Sequence, residues 1–307
     1  LLNRFAGARI SPWRTTMGRK KAYMAKRFRN PASAPGDWFI DTACIDCRAA
    51  PNEAPGLIVR HRGKCIFARQ PETREEDEAA FRAMQVCPTA SVRTQSKRRA
   101  PRLFPRNWAP GIFQLGFNAR SSFGANSWFA ARSDGNLMID APRWSTFVAD
   151  HINTSGGLAR ILLTHRDDVA DAERYATHFG ARVYIHEDDA SAAPFASDHF
   201  QGHSPTLIAD GVKVIPTPGH TIGSVVFLLD ESYLFAGDSL DWNYTTETLH
   251  ASPETCWYSW TEQTASLERL AEHRFEWVLA GHGGSAYRPA GEMSTKLLDL
   301  VNWMRQQ

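Results

Sequence analysis

The sequence predicts a mixed α/β chain in two folded units, a small cysteine-bearing unit followed by a larger one in which strands and helices alternate. Three observations carry this reading. From about residue 112, apolar runs of strand length alternate with stretches of helical period. The runs Ser224 to Leu229 and Tyr233 to Phe235 are joined only by Asp230-Glu231-Ser232, so they pair antiparallel and the sheet is not purely doubly wound. Four of the five cysteines fall between residues 44 and 87, which marks a unit of separate character.

Taken in order, residues 1–36 form a basic arm, 37–95 the cysteine unit, 96–111 a linker and 112–307 the larger domain. The cysteine unit opens on the strand-like Trp38-Phe39-Ile40, turns through Pro51 to Pro55, and continues in Leu57-Ile58-Val59 and Cys65-Ile66-Phe67. A helix from Glu72 to Val86 follows, with acids at its positive end and Ala79, Phe81, Met84 and Val86 on one side. Lys97-Arg98-Arg99-Ala100-Pro101 reads as connection. In the larger domain strands are expected at Ser127–Ala131, Leu137–Ile139, Arg160–Thr164, Val183–Ile185, Lys213–Ile215, Ser224–Leu229, Tyr233–Phe235 and Glu276–Leu279. Helices are expected at Asp168–Phe179, Glu254–His273 and Ala290–Met304.

At 307 residues and 43% apolar content the chain can bury one large core and one small one. No stretch approaches the roughly 18 uninterrupted apolar residues of a spanning helix. Net charge is +2, but the first 36 residues hold nine Lys or Arg and no acid. Such an arm is the composition of an organellar transit peptide, chloroplast before mitochondrion, or of a basic segment that lies on a protein partner, an anionic lipid surface or nucleic acid. No sequence-specific nucleic-acid motif accompanies it.

Three segments of the larger domain carry the chemistry: Pro218-Gly219-His220-Thr221, Phe235-Ala236-Gly237-Asp238 and Leu279-Ala280-Gly281-His282-Gly283. Each sets a metal-capable side chain just past an apolar run, with glycine beside it to let the backbone turn. Imidazole, carboxylate and imidazole at separate strand ends suit a Zn, Fe or Mn site. The competing reading of Asp238 is a turn residue, and of each histidine singly a satisfied core or surface group. His186, His199, His203 and His250 are read as non-ligands.

Together with the preceding Ile161-Leu162-Leu163-Thr164-His165, these segments resemble the metallo-β-lactamase superfamily, especially its glyoxalase II-like hydrolases, over roughly residues 112–307. The resemblance implies an αββα sandwich whose loops at one edge hold one or two metals. His220 then stands for the family's third-motif histidine, Asp238 for its bridging carboxylate and His282 for its last histidine. The family's first motif, His-x-His-x-Asp-His, is altered here to His165-Arg166-Asp167-Asp168-Val169-Ala170-Asp171-Ala172. His165 keeps the first ligand position, Asp167 stands at the second histidine, and Asp171 matches the aspartate if two extra residues are allowed, with Ala172 in place of the final histidine. The implied ligand set is His165, Asp171, His220, Asp238 and His282, suited to one ion rather than two and to Fe or Mn. Asp171 or Asp167 would orient the water or take its proton; as the alternative, Asp167, Asp168 and Asp171 are simply acids in the first turn of a helix.

Phe235 to Leu240 also spells the Gly-Asp-Ser-Leu string of serine esterases, but no companion base or oxyanion motif appears, so Ser239 is read as structural. Trp242, Tyr244, Trp257, Tyr258 and Trp260 either pack the sandwich against a helix or wall a substrate pocket. In the front unit, Cys44-Ile45-Asp46-Cys47 and Cys87-Pro88 resemble a single-cluster 4Fe-4S ferredoxin, which implies a small ferredoxin-like α+β domain with Cys44, Cys47, Cys65 and Cys87 as cluster ligands. The usual third cysteine position is Ala50, so Cys65 must swing in; a zinc site from the same thiolates has an irregular spacing.

These resemblances imply a metal-dependent hydrolase acting on an ester, a thioester or a similar bond of a small-molecule substrate. Two alternatives stand beside it. One is a redox protein passing electrons between the front cluster and the rear metal. The other is a retired enzyme serving as a structural or assembly subunit of an organellar complex.

Overall fold

The computed structural model describes residues 27–307, so the expectations placed on the basic arm lie largely outside the described residues. Arg27 and Arg29, the last two arm cations, fold back onto the front unit. Arg27 pairs with the buried Asp41 at 2.8 Å, and Arg29 donates to the Gly36 carbonyl at 2.8 Å. No helix among the described residues is long and apolar enough to cross a membrane.

The front unit runs β1 (Trp38–Ile40), α1 (Ala49–Glu53), β2 (Ile58–His61), β3 (Lys64–Phe67), α2 (Arg74–Val86) and β4 (Val92–Thr94). β1 pairs with β4 and β2 with β3, both antiparallel. α2 starts where Thr73 accepts the Glu76 N–H at 3.2 Å, with Glu75, Glu76 and Asp77 in its first turn, and it buries Ala79, Ala80, Phe81, Ala83 and Val86. The segment expected to turn at Pro51 is instead the short helix α1. A proline in a first turn loses no hydrogen bond, because the N–H it lacks has no intrahelical partner there.

The larger domain opens with β5 (Arg106–Ala109), inside the stretch read as linker, because that strand pairs with β6 (Ile112–Gln114). β7 (Trp128–Ala130), β8 (Leu137–Ile139), α3 (Thr146–Thr154), β9 (Arg160–Leu162), α4 (Ala172–Phe179), β10 (Arg182–His186) and β11 (Asp198–Phe200) follow. β5 to β11 make one seven-stranded sheet in sequential order, antiparallel up to β8 and parallel beyond it.

The second sheet has six strands: β12 (Thr206–Ala209), β13 (Val212–Pro216), β14 (Val225–Leu229), β15 (Tyr233–Gly237), β18 (Trp277–Ala280) and β19 (Ala286–Tyr287). Between β15 and β18 come the hairpin β16 (Asp241–Asn243) with β17 (Thr248–His250) and helix α5 (Trp260–Leu270). Helix α6 (Ala290–Met304) ends the domain. β14 and β15 pair antiparallel as expected, and β18 returns parallel to β15.

The order of layers follows from the two-residue alternation of strands. Leu137 and Ile139 of β8 join Val225, Phe227 and Leu229 of β14 in a core between the sheets, while Met138 faces the opposite way, toward α3 and α4. Val226 and Leu228 point outward onto α5 and α6. The αββα sandwich implied by the family resemblance is therefore present, with an apolar core on each face of each sheet. Fully buried rings such as Phe227 and Phe235 each contribute on the order of 2 kcal/mol through burial.

Candidate metal centre and thiolate site

Strand ends from both sheets converge at one edge of the sandwich. Asp140 follows β8, His165 follows β9, His220 lies in the loop between β13 and β14, Asp238 follows β15 and His282 follows β18. Glycine is needed at two of these turns. Gly237 has φ +49° and its missing Cβ would meet Thr164 at 2.6 Å. Gly219 has φ +159°, near extended, yet a Cβ there would sit 2.2 Å from Gln263, so close approach rather than φ decides that position.

Asp238 is the hub. His165 Nε2 lies 3.8 Å and His220 Nε2 3.6 Å from its Oδ2, and His282 Nδ1 lies 2.9 Å from each of its oxygens. The rings of His165 and His220 stand perpendicular with centroids 4.7 Å apart. His165, His220 and Asp238 form one group, and Asp168, Asp238 and His282 a second, each with its ligand atoms within 4.8 Å of one another.

The tautomers follow from what holds each ring. His220 Nδ1 lies 2.6 Å from the Thr255 carbonyl, which can only accept, so Nδ1 carries the proton and Nε2 presents a lone pair. Thr164 Oγ1 donates to the Asp140 carboxylate at 2.9 Å and so accepts from His165 Nδ1 at 3.0 Å, which leaves His165 Nε2 bare as well. Both Nε2 atoms, together with both oxygens of Asp168 and Nε2 of His282, are buried without a hydrogen-bond partner. Buried acceptors gathered around Asp238 without donors of their own are what a bound cation would satisfy.

Charge reinforces the point. Burial drives the His165 imidazole down to about 4, so it stays neutral at pH 7. Burial pushes Asp168 well above the carboxylate range, helped by the charges of Asp238, Asp140 and Asp167. Burial also raises Asp140, to about 7. Asp238 ends below the ordinary range because the neighbouring histidines, His282 first, outweigh its burial.

The sequence-derived set divides. His165, His220, Asp238 and His282 come together, and Asp167, half-exposed, lies 3.5 Å from His220 Nε2 at the mouth of the group. Asp171 does not join them. Its carboxylate accepts the Trp144 N–H at 2.6 Å, tying the entry of α3 to that of α4, and Asp168 occupies the place expected of it. The cause is local: the helix expected from Asp168 begins only at Ala172, so Asp168 sits in a turn aimed inward while Asp171 stands at the N-cap position, facing α3. Asp168, Asp140 and Thr164 are site residues that motif reading missed; only the adjacent acids Asp167-Asp168 hinted at the first. Ser239 bonds Thr217 at 2.9 Å and has no base beside it, as a structural residue does.

The aromatic stretch splits too. Trp242 is buried in the outer core with Trp260 packed against it, whereas Trp257 is exposed with its ring 6.1 Å from that of His220. An unforeseen ring, Phe123, stands exposed 6.3 Å from the His282 ring.

In the front unit, the Cys44 sulfur accepts backbone N–H groups from Asp46 at 3.4 Å and Cys65 at 3.3 Å, and the Cys65 thiol donates to the Asp46 carboxylate at 3.8 Å, so the Cys65 side chain, though on β3, turns toward the Cys44 loop. The Cys87 sulfur accepts the Ser91 N–H at 3.1 Å. Asp46 and Arg48 take left-handed φ of 59° and 64°, the geometry that curls backbone amides around an anion. The Cys65 side chain bonded to it holds the Cys44 thiol at about 6, while burial pushes Cys47 up to about 12. One tetrahedral zinc with bonds of about 2.3 Å would draw its sulfurs to roughly 3.8 Å. Among the described residues no three cysteine sulfurs lie within 4.8 Å of one another.

Comparison with known proteins agrees with this fold. Residues 109–302 match the family model described as the metallo-beta-lactamase superfamily, and residues 40–94 match the 4Fe-4S single cluster domain of ferredoxin I. A hydroxyacylglutathione hydrolase of Acidiphilium cryptum is 30% identical over 166 residues, 48% of this chain and 68% of that protein. The lactamase-like protein vrtG of Penicillium aethiopicum is 29% identical over 164 residues, 50% of this chain and 49% of vrtG, so the chain spans only about half of that relative. Among solved structures, a metallo-beta-lactamase of Hirschia baltica shares the fold, with TM-score 0.50 at 15% identity over 64% of this chain and 96% of that one. TMB-1 gives TM-score 0.53 at 17% identity, over 65% and 97% of the two chains.

Proposed function

Because the chain belongs to the metallo-β-lactamase superfamily, through its match over residues 109–302 and its αββα fold, we propose that it is a metal-dependent hydrolase of an ester or thioester in a small molecule. One observation carries the reading: bare, buried acceptors of His165, His220 and Asp168 converge on Asp238 with no donor to satisfy them. The donor sets fit a divalent ion. His165, His220 and Asp238 would hold one, and Asp168, Asp238 and His282, with two carboxylates, suit a second, harder ion such as Mn²⁺ or Fe²⁺.

When bound, such an ion supplies Lewis acidity, polarising a carbonyl and acidifying water. The chain's own groups do the rest. Thr164 and Asp140 hold His165 in its tautomer, and the Thr255 carbonyl does the same for His220. Asp167, kept below the usual carboxylate range first by His220 beside it and then by His165 and Arg166, remains ionised at the mouth and can orient water or accept its proton. Trp257 and Phe123 flank the opening and offer apolar contact to an acyl or leaving group. The relative named hydroxyacylglutathione hydrolase supports the thioester among the substrate classes.

We further propose that Cys44, Cys47, Cys65 and Cys87 hold a 4Fe-4S cluster, supported by the family match and by the amides curled around the thiolates. The test is anaerobic purification of the full chain, elemental analysis, and hydrolysis assays on an acyl thioester and the matching oxygen ester after chelation and reloading with Zn²⁺, Mn²⁺ or Fe²⁺. Metal-dependent turnover that His220→Ala lowers at least a hundredfold is the expected result. Stoichiometric metal without hydrolysis of either bond would overturn the proposal.

A further inference from the structure

A cleft of about 480 Å³ separates the thiolate unit from the metal-bearing domain, within the size range of small-molecule sites. Its charge is unbalanced. Glu53 of α1, 6% exposed, is the carboxylate among the lining residues, and two guanidiniums share it: Arg82 of α2 through Nε at 3.2 Å and Arg106 of β5 through Nη1 at 3.1 Å. One positive charge is left over. Gln114 takes the remaining acceptor capacity of Glu53, donating to it at 3.1 Å, so the carboxylate cannot turn to neutralise both arginines further.

Free donors remain. The terminal nitrogens of Arg82 make no hydrogen bond among the described residues, and Arg106 Nε is buried with no partner. A buried guanidinium nitrogen without an acceptor is costly, and like charges side by side raise that cost. Burial and the charge of Arg82 both weaken the hold of Arg106 on its proton, although the Glu53 carboxylate opposes them. A small anion in the cleft beside the two arginines would meet the free terminal nitrogens of Arg82 and offset the charge that Glu53 leaves over. Asn52, on the cleft wall, donates to the Gly283 carbonyl at 2.8 Å, one residue beyond His282, so an occupant would lie against the back of the last-histidine loop rather than in the metal group.

We propose that this interdomain cleft binds a small oxyanion, a carboxylate or phosphate borne on a compact metabolite, with Arg82 and Arg106 as its charged recognition groups. The site is separate from the metal centre and stands whether or not the hydrolase reading holds. Calorimetric titration of the full chain with malonate, with inorganic phosphate and with the neutral analogue malonamide tests it, on metal-loaded and metal-stripped protein.

The expected result is saturable binding of malonate or phosphate, retained after metal removal, and none of malonamide; the tighter anion identifies the source. Arg82→Gln should weaken binding at least tenfold, the size of one charge-assisted hydrogen bond, and Arg82→Lys, which keeps the charge, only a few-fold. Absence of binding by both anions overturns the proposal. So does anion binding that disappears with the metal, or that Arg82→Gln leaves unchanged.

Discussion

Asp168 and Asp171 differ by one turn of backbone and have opposite duties. Asp168 is a buried carboxylate with neither oxygen bonded, whereas Asp171 spends its carboxylate on a backbone amide. Asp168→Asn is therefore expected to raise the melting temperature of the metal-free protein at alkaline pH, where the buried carboxyl must otherwise ionise without a partner, while weakening metal binding at least tenfold in a chelator competition. Asp171→Ala should leave metal affinity unchanged and lower stability by about 1 kcal/mol, read from denaturant midpoints. Thr164 acts through its neighbour. Thr164→Val cuts the link from Asp140 to His165 and should reduce metal affinity 10- to 100-fold, and Thr164→Ser should restore it.

At the scale of elements, one loop touches both candidate sites. The loop between β6 and β7 lies on the thiolate unit: a Cβ on Gly124 would fall 2.8 Å from the Cys47 sulfur, and its neighbour Phe123 faces His282. Gly124→Ala should cost about 1–3 kcal/mol and change the visible absorption of the anaerobic protein, because the side chain intrudes on a thiolate. Gly56→Ala serves as the comparison, sharing a positive φ of 76° but meeting nothing within 4 Å, so it should lose about 1 kcal/mol and leave the spectrum unchanged. The expected helix at Glu254–His273 is likewise shorter in fact, because a single 3-10 turn at Pro253–Thr255 precedes the Ser259 cap, and that turn supplies the carbonyl that orients His220.

At the scale of the whole molecule, the front unit is bound to the sandwich by a polar seam. Glu53 reaches Arg106 and Gln114 across it, Asn52 reaches Gly283, and Arg143 donates to the Cys87 carbonyl at 3.3 Å. Glu53→Ala strands two guanidiniums and should destabilise the chain by about 3–5 kcal/mol. The guanidinium chloride transition should then split in two, the front unit melting first, as followed by tryptophan fluorescence and by loss of visible absorption.

Much of this architecture was legible beforehand, and for a definite reason. Strand ends flanked by glycine announce themselves locally, so His220, Asp238 and His282 could be named from apolar runs and turns alone, as could α2 and α6. The sequence could not show α3, a nine-residue helix whose short apolar face, Val148, Ala149 and Ile152, acquires meaning only against the first sheet. Nor could it choose between Asp168 and Asp171, or show that Cys65 turns toward Cys44, because those outcomes depend on where a helix begins and which way a strand faces. By itself the sequence determined most strands, the longer helices and the identity of the metal-capable residues, which are properties of local pattern, while the αββα layering was implied by the family resemblance. Only the tertiary structure decided which acid completes the centre and that a positively charged cleft lies behind it, since both arise from contacts between segments far apart in the chain.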